Sequence, residues 1–208
     1  IHQATLWADP IQRLAVVRRM YLFRFDEPLD ENLTLQQIRG HEGVRGRTRY
    51  QRWSKETGVE WQGRDYKKEN WDAADPINRA LSIANTCLYA VCQAALHSVG
   101  YSPALGFIHT GKPLSFVYDI ADLYKGKMTI PAAVETVANG YLDLDRFVRH
   151  RCHRRFADYR LMHRIVRDID QVLGLDVEEE AEPICFLWDD ILETVDGGKN
   201  WADEDELS

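Results

Sequence analysis

At 208 residues, with 45% hydrophobic and 28% charged residues, the chain suits one sizeable domain with a packed core, and its composition excludes wholesale disorder. No apolar run is long enough to span a bilayer, and no signal-peptide pattern opens the chain. The four cysteines form no CxxC pair, so we expect a reduced, cytoplasmic protein without a membrane segment.

The net charge of −7 is distributed unevenly along the chain. Residues 176–208 hold 13 of the 33 Asp and Glu residues and one of the 26 Lys and Arg residues, a balance of −12. The first 175 residues therefore carry a balance of +5. An acidic pI of about 5.5 argues against nucleic-acid binding, but the basic body permits it. We treat residues 1–175 as one domain and residues 176–208 as an acidic tail.

The first two predicted helices have clear start signals. One begins at Pro10, with Asp9 as its N-cap. The other follows Thr34 and Gln37, which form a capping-box pair, and ends near Gly58. These residue types satisfy the free N–H groups of a first helical turn, so both starts are predicted from local chemistry alone.

A polar and aromatic connection, residues 59–74, follows these helices and could form a short hairpin. The next helix starts after Asp75 and ends at Gly100. Its apolar residues recur at helical spacing, which predicts the central core helix. Further helices are predicted from Pro113, near 131–138 and across 143–173. The predicted fold class is all-α, with a single helical catalytic domain.

Two carboxylates lie in the apolar stretch GFIHTGKPLSFVYDIADLY, residues 106–124. Asp119 and Asp122 share one stripe of the predicted helix, and His109 lies in the loop before it. Such a pair ordinarily faces water on an amphipathic helix. If the carboxylates are instead buried, they need a counter-charge, a hydrogen-bond network or a metal ion.

A third carboxylate, Glu42, lies among glycines in RGHEGVRGRTR. Gly40, Gly43 and Gly46 each cost about 1 kcal/mol relative to Ala in a helix interior, so we expect another backbone or a ligand to approach them. Glu42 follows Ile38 by four residues, which places it towards the packed side. Together Glu, His and Asp side chains suit Mn²⁺ or Mg²⁺ better than a structural zinc site.

Arginines surround this stretch and recur near the end of the body. Residues 145–168 contain eight arginines and three acids, which favours phosphate contact over a merely solvated helix face. Metal ligands among guanidinium groups suit phosphodiester chemistry. The arginines near Glu42 are Arg39, Arg45, Arg47, Arg49 and Arg52.

Four motifs carry a resemblance to a known family: RGHEG, GVEWQGRDY, INRALSIANTCLYAVCQAALHSVGYSPALGFIHTG and KPLSFVYDIADLYK. They lie within residues 10–175 and stand in the family's order. This part resembles the catalytic helical domain of the CRISPR-associated spacer-acquisition integrase, the universal first protein of CRISPR adaptation. It is most similar to the branch that works with the type I-E system.

The resemblance implies roles for individual residues. Glu42, His109 and Asp122 match the family's ligands for a divalent metal, Mg²⁺ or Mn²⁺. Asp119 matches a further acid of the catalytic site. The positions that match residues near double-stranded DNA are Arg39, Arg64, Tyr89, Lys112, Lys125 and Arg149.

The resemblance also implies an activity and partners. The protein is expected to be a homodimer, with two dimers flanking a dimer of a small CRISPR-associated partner subunit and holding a captured duplex. It inserts that duplex into the repeat array by metal-dependent transesterification, and it cleaves branched DNA by related chemistry. Family members carry an N-terminal β domain, and nothing strand-like precedes residue 10 here, so we expect this domain to be absent from the chain.

Several alternatives remain open at this level. A chain without the β domain could be a DNA-binding scaffold that lacks activity, or a metal-dependent nuclease of unrelated role. The acidic tail lies outside the resemblance. Its apolar cluster in EPICFLWDDILETV predicts docking on the partner subunit or on a basic surface, whereas its charge also fits a disordered, solubilising tail.

Overall fold

Helices account for all the regular structure described in the first 175 residues. The computed structural model describes residues 2–25, 29–30, 32–64, 75–175, 186–189 and 193–196. The described helices are α1 (His2–Ala8), α2 (Pro10–Phe25), α3 (Leu35–Thr57), α4 (Pro76–Ser98), α5 (Ser115–Tyr124), α6 (Thr129–Ala138), α7 (Leu144–Asp158) and α8 (Leu161–Leu173).

The predicted helix starts are confirmed by the caps. The Asp9 carboxylate accepts hydrogen bonds from the Ile11 and Gln12 N–H groups at 2.8 and 3.2 Å. Thr34 and Gln37 form the reciprocal capping box at the start of α3. That helix ends as predicted, with Gly58 in the left-handed conformation at φ 72°.

The central helix α4 joins the two parts of the core. Its first half packs Leu81 and Ala84 into a cluster with α6 and α7, and its second half packs Leu88 and Leu96 into a cluster with α2, α5 and α8. All four of these side chains are fully buried. This position in the core confirms the prediction made from the spacing of its apolar residues.

Other predicted elements differ from the structure in detail. Helix α5 begins at Ser115 rather than Pro113, because residues 113–114 form a turn. The stretch 143–173 is two helices, separated where Arg160 takes a left-handed conformation at φ 49°. Helix α1 was not predicted. Residues 59–64 form no strand, and the rest of the expected hairpin, 65–74, lies outside the described residues.

The acidic tail is a separate unit, residues 176–208. It contains an antiparallel pair of strands, β1 (Phe186–Asp189) and β2 (Glu193–Asp196), in which Leu187 is paired with Val195. The sequence did not predict these strands. The all-α fold class is therefore confirmed for the described residues of the body and corrected for the tail, whose docking on a partner stays a prediction.

Among the helices that the structure describes, none combines the length and the apolar character needed to cross a bilayer.

Candidate metal and nucleic-acid site

A cleft of about 640 Å³ brings together residues that are far apart in the sequence. Its walls come from α2, α3, the segment before residue 65, the loop ahead of α5, and the end of α5. All three predicted metal ligands, Glu42, His109 and Asp122, line it. Its basic lining residues are Arg24, Arg39, Arg47, Arg64 and Lys125.

Asp119 lies behind this cleft and organises the loop that carries His109. Its side chain is fully buried, and one carboxylate oxygen, Oδ2, accepts the N–H groups of Phe107 and Ile108 at 2.6 and 3.0 Å. The other oxygen, Oδ1, accepts the backbone N–H of His109 at 2.9 Å and lies 2.7 Å from His109 Nδ1. Both oxygens are therefore used in holding the loop.

The Asp119 contact also orients the imidazole of His109. A carboxylate is only an acceptor, so it favours a proton on Nδ1 and leaves the lone pair on Nε2. The His109 side chain is 44% exposed, so this ring reaches the cleft although its partner is buried. A carboxylate behind a histidine is the usual support for a histidine that binds a metal.

The two remaining carboxylates are neutralised by basic side chains. Arg24 Nη1 forms an ion pair with Glu42 Oε1 and lies 3.6 Å from Asp122 Oδ2. Lys125 Nζ lies 2.5 Å from Asp122 Oδ1. Burial opposes ionisation of Asp122, but Lys125 and Arg24 outweigh it and hold the pKa of this carboxyl below its ordinary value. Asp122 is therefore a buried anion, not a residue of a solvated helix face.

The chemistry of the donor set fits a divalent cation of the Mg²⁺ or Mn²⁺ type. Two carboxylates and an imidazole that offers Nε2 provide oxygen and nitrogen ligands. Asp122 Oδ1 is buried, and Lys125 Nζ lies 2.5 Å from it. Within the part of the chain that the structure describes, no three His, Cys, Asp or Glu side chains are grouped closely enough to hold an ion as they stand. A cation would have to replace the pairing with Arg24.

The residues predicted near DNA lie in different surroundings. Arg39 and Lys125 line the cleft, and Tyr89 adjoins it because its ring lies 5.2 Å from Lys125 Nζ. Arg64 also lines the cleft, but its guanidinium donates to α4 at Asn78 and Ser82 and holds the loop in place. Like Tyr89, two further predicted residues do not line the cleft: Lys112, exposed before α5, and Arg149, exposed on α7.

The glycines of α3 do not have the predicted backbone neighbour. A Cβ added at Gly40, Gly43 or Gly46 would meet nothing within 4 Å, so the expected approach of another backbone is wrong. Gly43 and Gly46 line the cleft, whereas Gly40 does not. Approach of a ligand to these two positions stays a prediction. Glu42 lies towards the packed side, as predicted, one turn after the buried Ile38.

Two residues of the site were not found by sequence reasoning. Arg24 lies on the same stripe of α2 as the buried residues Val17 and Met20. A basic residue on a buried stripe is a signal in the sequence that could have indicated a buried ion pair. Tyr118 packs its ring edge-on against Tyr89 and His109, at centroid distances of 5.0 and 5.9 Å. No pattern in the sequence indicates the Tyr118 contacts, because they join three separate elements.

A helical domain with carboxylates and an imidazole in a basic cleft is the kind of protein expected to act on nucleic-acid phosphates. The chain belongs to the family of the CRISPR associated protein Cas1, whose sequence profile matches residues 16–168. This assignment confirms the family resemblance found in the four sequence motifs.

Individual relatives agree with the family assignment. The CRISPR-associated endonuclease Cas1 2 of Thermus thermophilus is 50% identical over 211 residues, which cover 98% of this chain and 65% of the relative. The CRISPR-associated endonuclease Cas1 of Escherichia coli is 41% identical over 192 residues, covering 89% and 63%. The crystal structure of a TtCas1–DNA complex matches with a TM-score of 0.77 and 51% identity, covering 83% of this chain and 64% of that one. The chain thus spans less than two thirds of the length of each of these proteins.

Proposed function

We propose that this chain forms the catalytic helical part of a CRISPR adaptation endonuclease and integrase. One observation carries the proposal: Glu42, His109 and Asp122, from three separate elements, line a single basic cleft. The relatives named as endonucleases and the solved Cas1–DNA complex support a nuclease that binds DNA. The protein acts on double-stranded DNA, both the captured duplex and the repeat array.

The residues have separate roles in this proposal. Glu42, His109 through Nε2, and Asp122 are the residues that would hold a Mg²⁺ or Mn²⁺ ion, and the ion would supply polarisation of the phosphate and stabilisation of the leaving oxygen. Asp119 is a positioning residue, because the hydrogen bonds of its carboxylate to described residues go to the loop and ring of His109. Arg39 and Lys125 attract the phosphate backbone into the cleft.

The proposed reaction is a transesterification in which the number of phosphodiester bonds stays constant. The 3′-hydroxyl of the captured duplex attacks a phosphorus atom of the repeat, and a new P–O bond forms. The bond from that phosphorus to the 3′-oxygen of the repeat strand breaks, and the proton of the attacking hydroxyl ends on the leaving oxygen. With water as the attacking group, the same site cleaves the strand.

The assembly follows the family resemblance. We propose a homodimer that works with a small CRISPR-associated partner subunit, two dimers flanking one partner dimer. The acidic tail is the segment we assign to partner docking. Deleting residues 176–208 should lower partner affinity, and unchanged affinity would reject that assignment.

The test is half-site integration of a 3′-hydroxyl duplex into repeat DNA by the purified protein with its partner. Glu42→Gln and His109→Ala should abolish the product. Glu135→Gln is a matched control, because Glu135 also pairs with arginines, Arg151 and Arg155, but does not line the cleft. Product that survives both cleft substitutions would reject the metal assignment. DNA binding without any product would favour the inactive scaffold.

A further inference from the structure

Arg24 stands where a cation would join the two carboxylates of the cleft. Its Nη1 pairs with Glu42 of α3 and lies 3.6 Å from Asp122 of α5, so one guanidinium of α2 links three helices. The side chains of Arg24, Glu42 and Asp122 are only 15%, 17% and 11% exposed. Water therefore does little to screen the two carboxylates, and they need a positive charge between them.

The contacts of Arg24 are incomplete for a permanent structural ion pair. Its Nε–H is buried and, among the described residues, has no hydrogen-bond acceptor. Buried donors in settled structural pairs are normally satisfied. Because one donor has no acceptor among the described residues, the Arg24 pair is held less firmly than a fully satisfied ion pair would be.

Neighbouring guanidinium groups make the position of Arg24 crowded with positive charge. Arg24, Arg45 and Arg49 all lie over the ring of Phe25, at 4.9, 5.8 and 5.4 Å from its centroid. Arg49 also donates to the backbone carbonyl of Arg24 at 3.4 Å. The positive charges of Arg24 and Arg49 oppose each other, which favours movement of the Arg24 guanidinium once another cation satisfies the carboxylates.

We propose that Arg24 is a positioning residue that keeps Glu42 and Asp122 in place in the absence of metal, and that a divalent cation displaces its guanidinium. This inference rests on the proposed function, because it requires a cation to bind these carboxylates. An arginine stays protonated at all accessible pH values, so it can leave the site only by rotating away. Lys125 remains beside Asp122, so the exchange mainly concerns the partner of Glu42.

The first test is Mn²⁺ binding, measured by isothermal titration calorimetry on wild-type protein and Arg24→Gln. The guanidinium competes with the ion, so its removal should tighten Mn²⁺ binding roughly tenfold. Arg19→Gln is the matched control, because Arg19 lies on the same helix but donates to Val172 and Leu173 at the end of α8. This control should keep the wild-type affinity.

The second test observes displacement directly in the wild-type protein and does not depend on the folding of Arg24→Gln. The Nε–Hε signal of Arg24 in a ¹H–¹⁵N spectrum, assigned by its loss in Arg24→Lys, should shift on titration with Mg²⁺. Glu42→Gln should abolish this shift because it removes one of the carboxylates that binds the ion.

The outcomes separate this inference from the proposed function. Tighter Mn²⁺ binding by Arg24→Gln together with the Mg²⁺-dependent shift supports displacement. If wild-type protein binds Mn²⁺ through Glu42 but Arg24→Gln binds no more tightly and the Arg24 signal does not move, displacement is rejected and the metal site stands. If neither protein binds Mn²⁺, the metal assignment fails, and this inference fails with it.

Discussion

Replacing Asp119 with Asn tests whether this buried carboxylate holds the His109 loop. The substitution keeps the size of the side chain and exchanges one acceptor oxygen for an NH₂ donor. In one orientation that donor faces the N–H groups of Phe107 and Ile108. In the other it faces the N–H of His109 and drives the ring proton from Nδ1 to Nε2.

The expected cost follows from these contacts. Either orientation loses the equivalent of one or two hydrogen bonds to a charged acceptor, at about 1.5–3 kcal/mol each, so the free energy of unfolding should fall by about 3 kcal/mol. For a domain of this size, such a loss lowers the melting temperature by roughly 6–12 °C. In the orientation that places the NH₂ group against His109, the ring would also present a protonated Nε2, so Mn²⁺ affinity should then fall about 10- to 100-fold.

The assay is urea and thermal unfolding followed by circular dichroism, with Mn²⁺ titration as the second measurement. Asp9→Asn is the control, because Asp9 is the exposed N-cap of α2 and Asn is equally good there. It should change stability by no more than about 0.5 kcal/mol. A loss below about 1 kcal/mol for Asp119→Asn would refute the positioning role.

Three further predictions concern other parts of the body. Gly106→Ala should lower the free energy of unfolding, measured in urea, by about 3 kcal/mol. The added Cβ would lie against the His109 carbonyl oxygen and 2.7 Å from the Ser115 carbonyl carbon. Gly43→Ala and Gly40→Ala should each stabilise α3 by about 1 kcal/mol, but only Gly43→Ala, in the cleft, should weaken duplex binding measured by fluorescence anisotropy. A hydrogen bond from Cys152 lowers the pKa of the Cys87 thiol to about 7. The rate at which iodoacetamide alkylates Cys87, measured by mass spectrometry, should therefore rise as the pH passes 7 and then level off.

Each of these has a control or an opposing result. Gly140→Ala, with open space around it and a φ of 65°, should cost only about 1 kcal/mol, and an equal loss at Gly106 would contradict the steric argument. Equal DNA affinities of the two α3 variants would show that no ligand approaches Gly43. Alkylation of Cys87 that begins only above pH 8 would contradict the lowered pKa, because the thiolate is the reactive form.

Much of the site was predictable from sequence because the family resemblance assigned its candidate metal ligands. Glu42, His109 and Asp122 were expected together, and they line one cleft. The residues that surround them were harder to assign. The spacing of Asp119 and Asp122 predicted that they share one stripe of the helix. In the structure Asp119 holds the His109 loop, whereas Asp122 forms ion pairs with Lys125 and Arg24.

The sequence by itself determined the features that depend on neighbours within a turn or two of the chain. The caps at Asp9 and Thr34, the apolar spacing of α4 and the change of charge after residue 175 all act over a few residues, so they can be read locally. Only the tertiary structure decided that Arg24 meets Glu42 and Asp122, since the packing of α2, α3 and α5 sets which charges share a buried space.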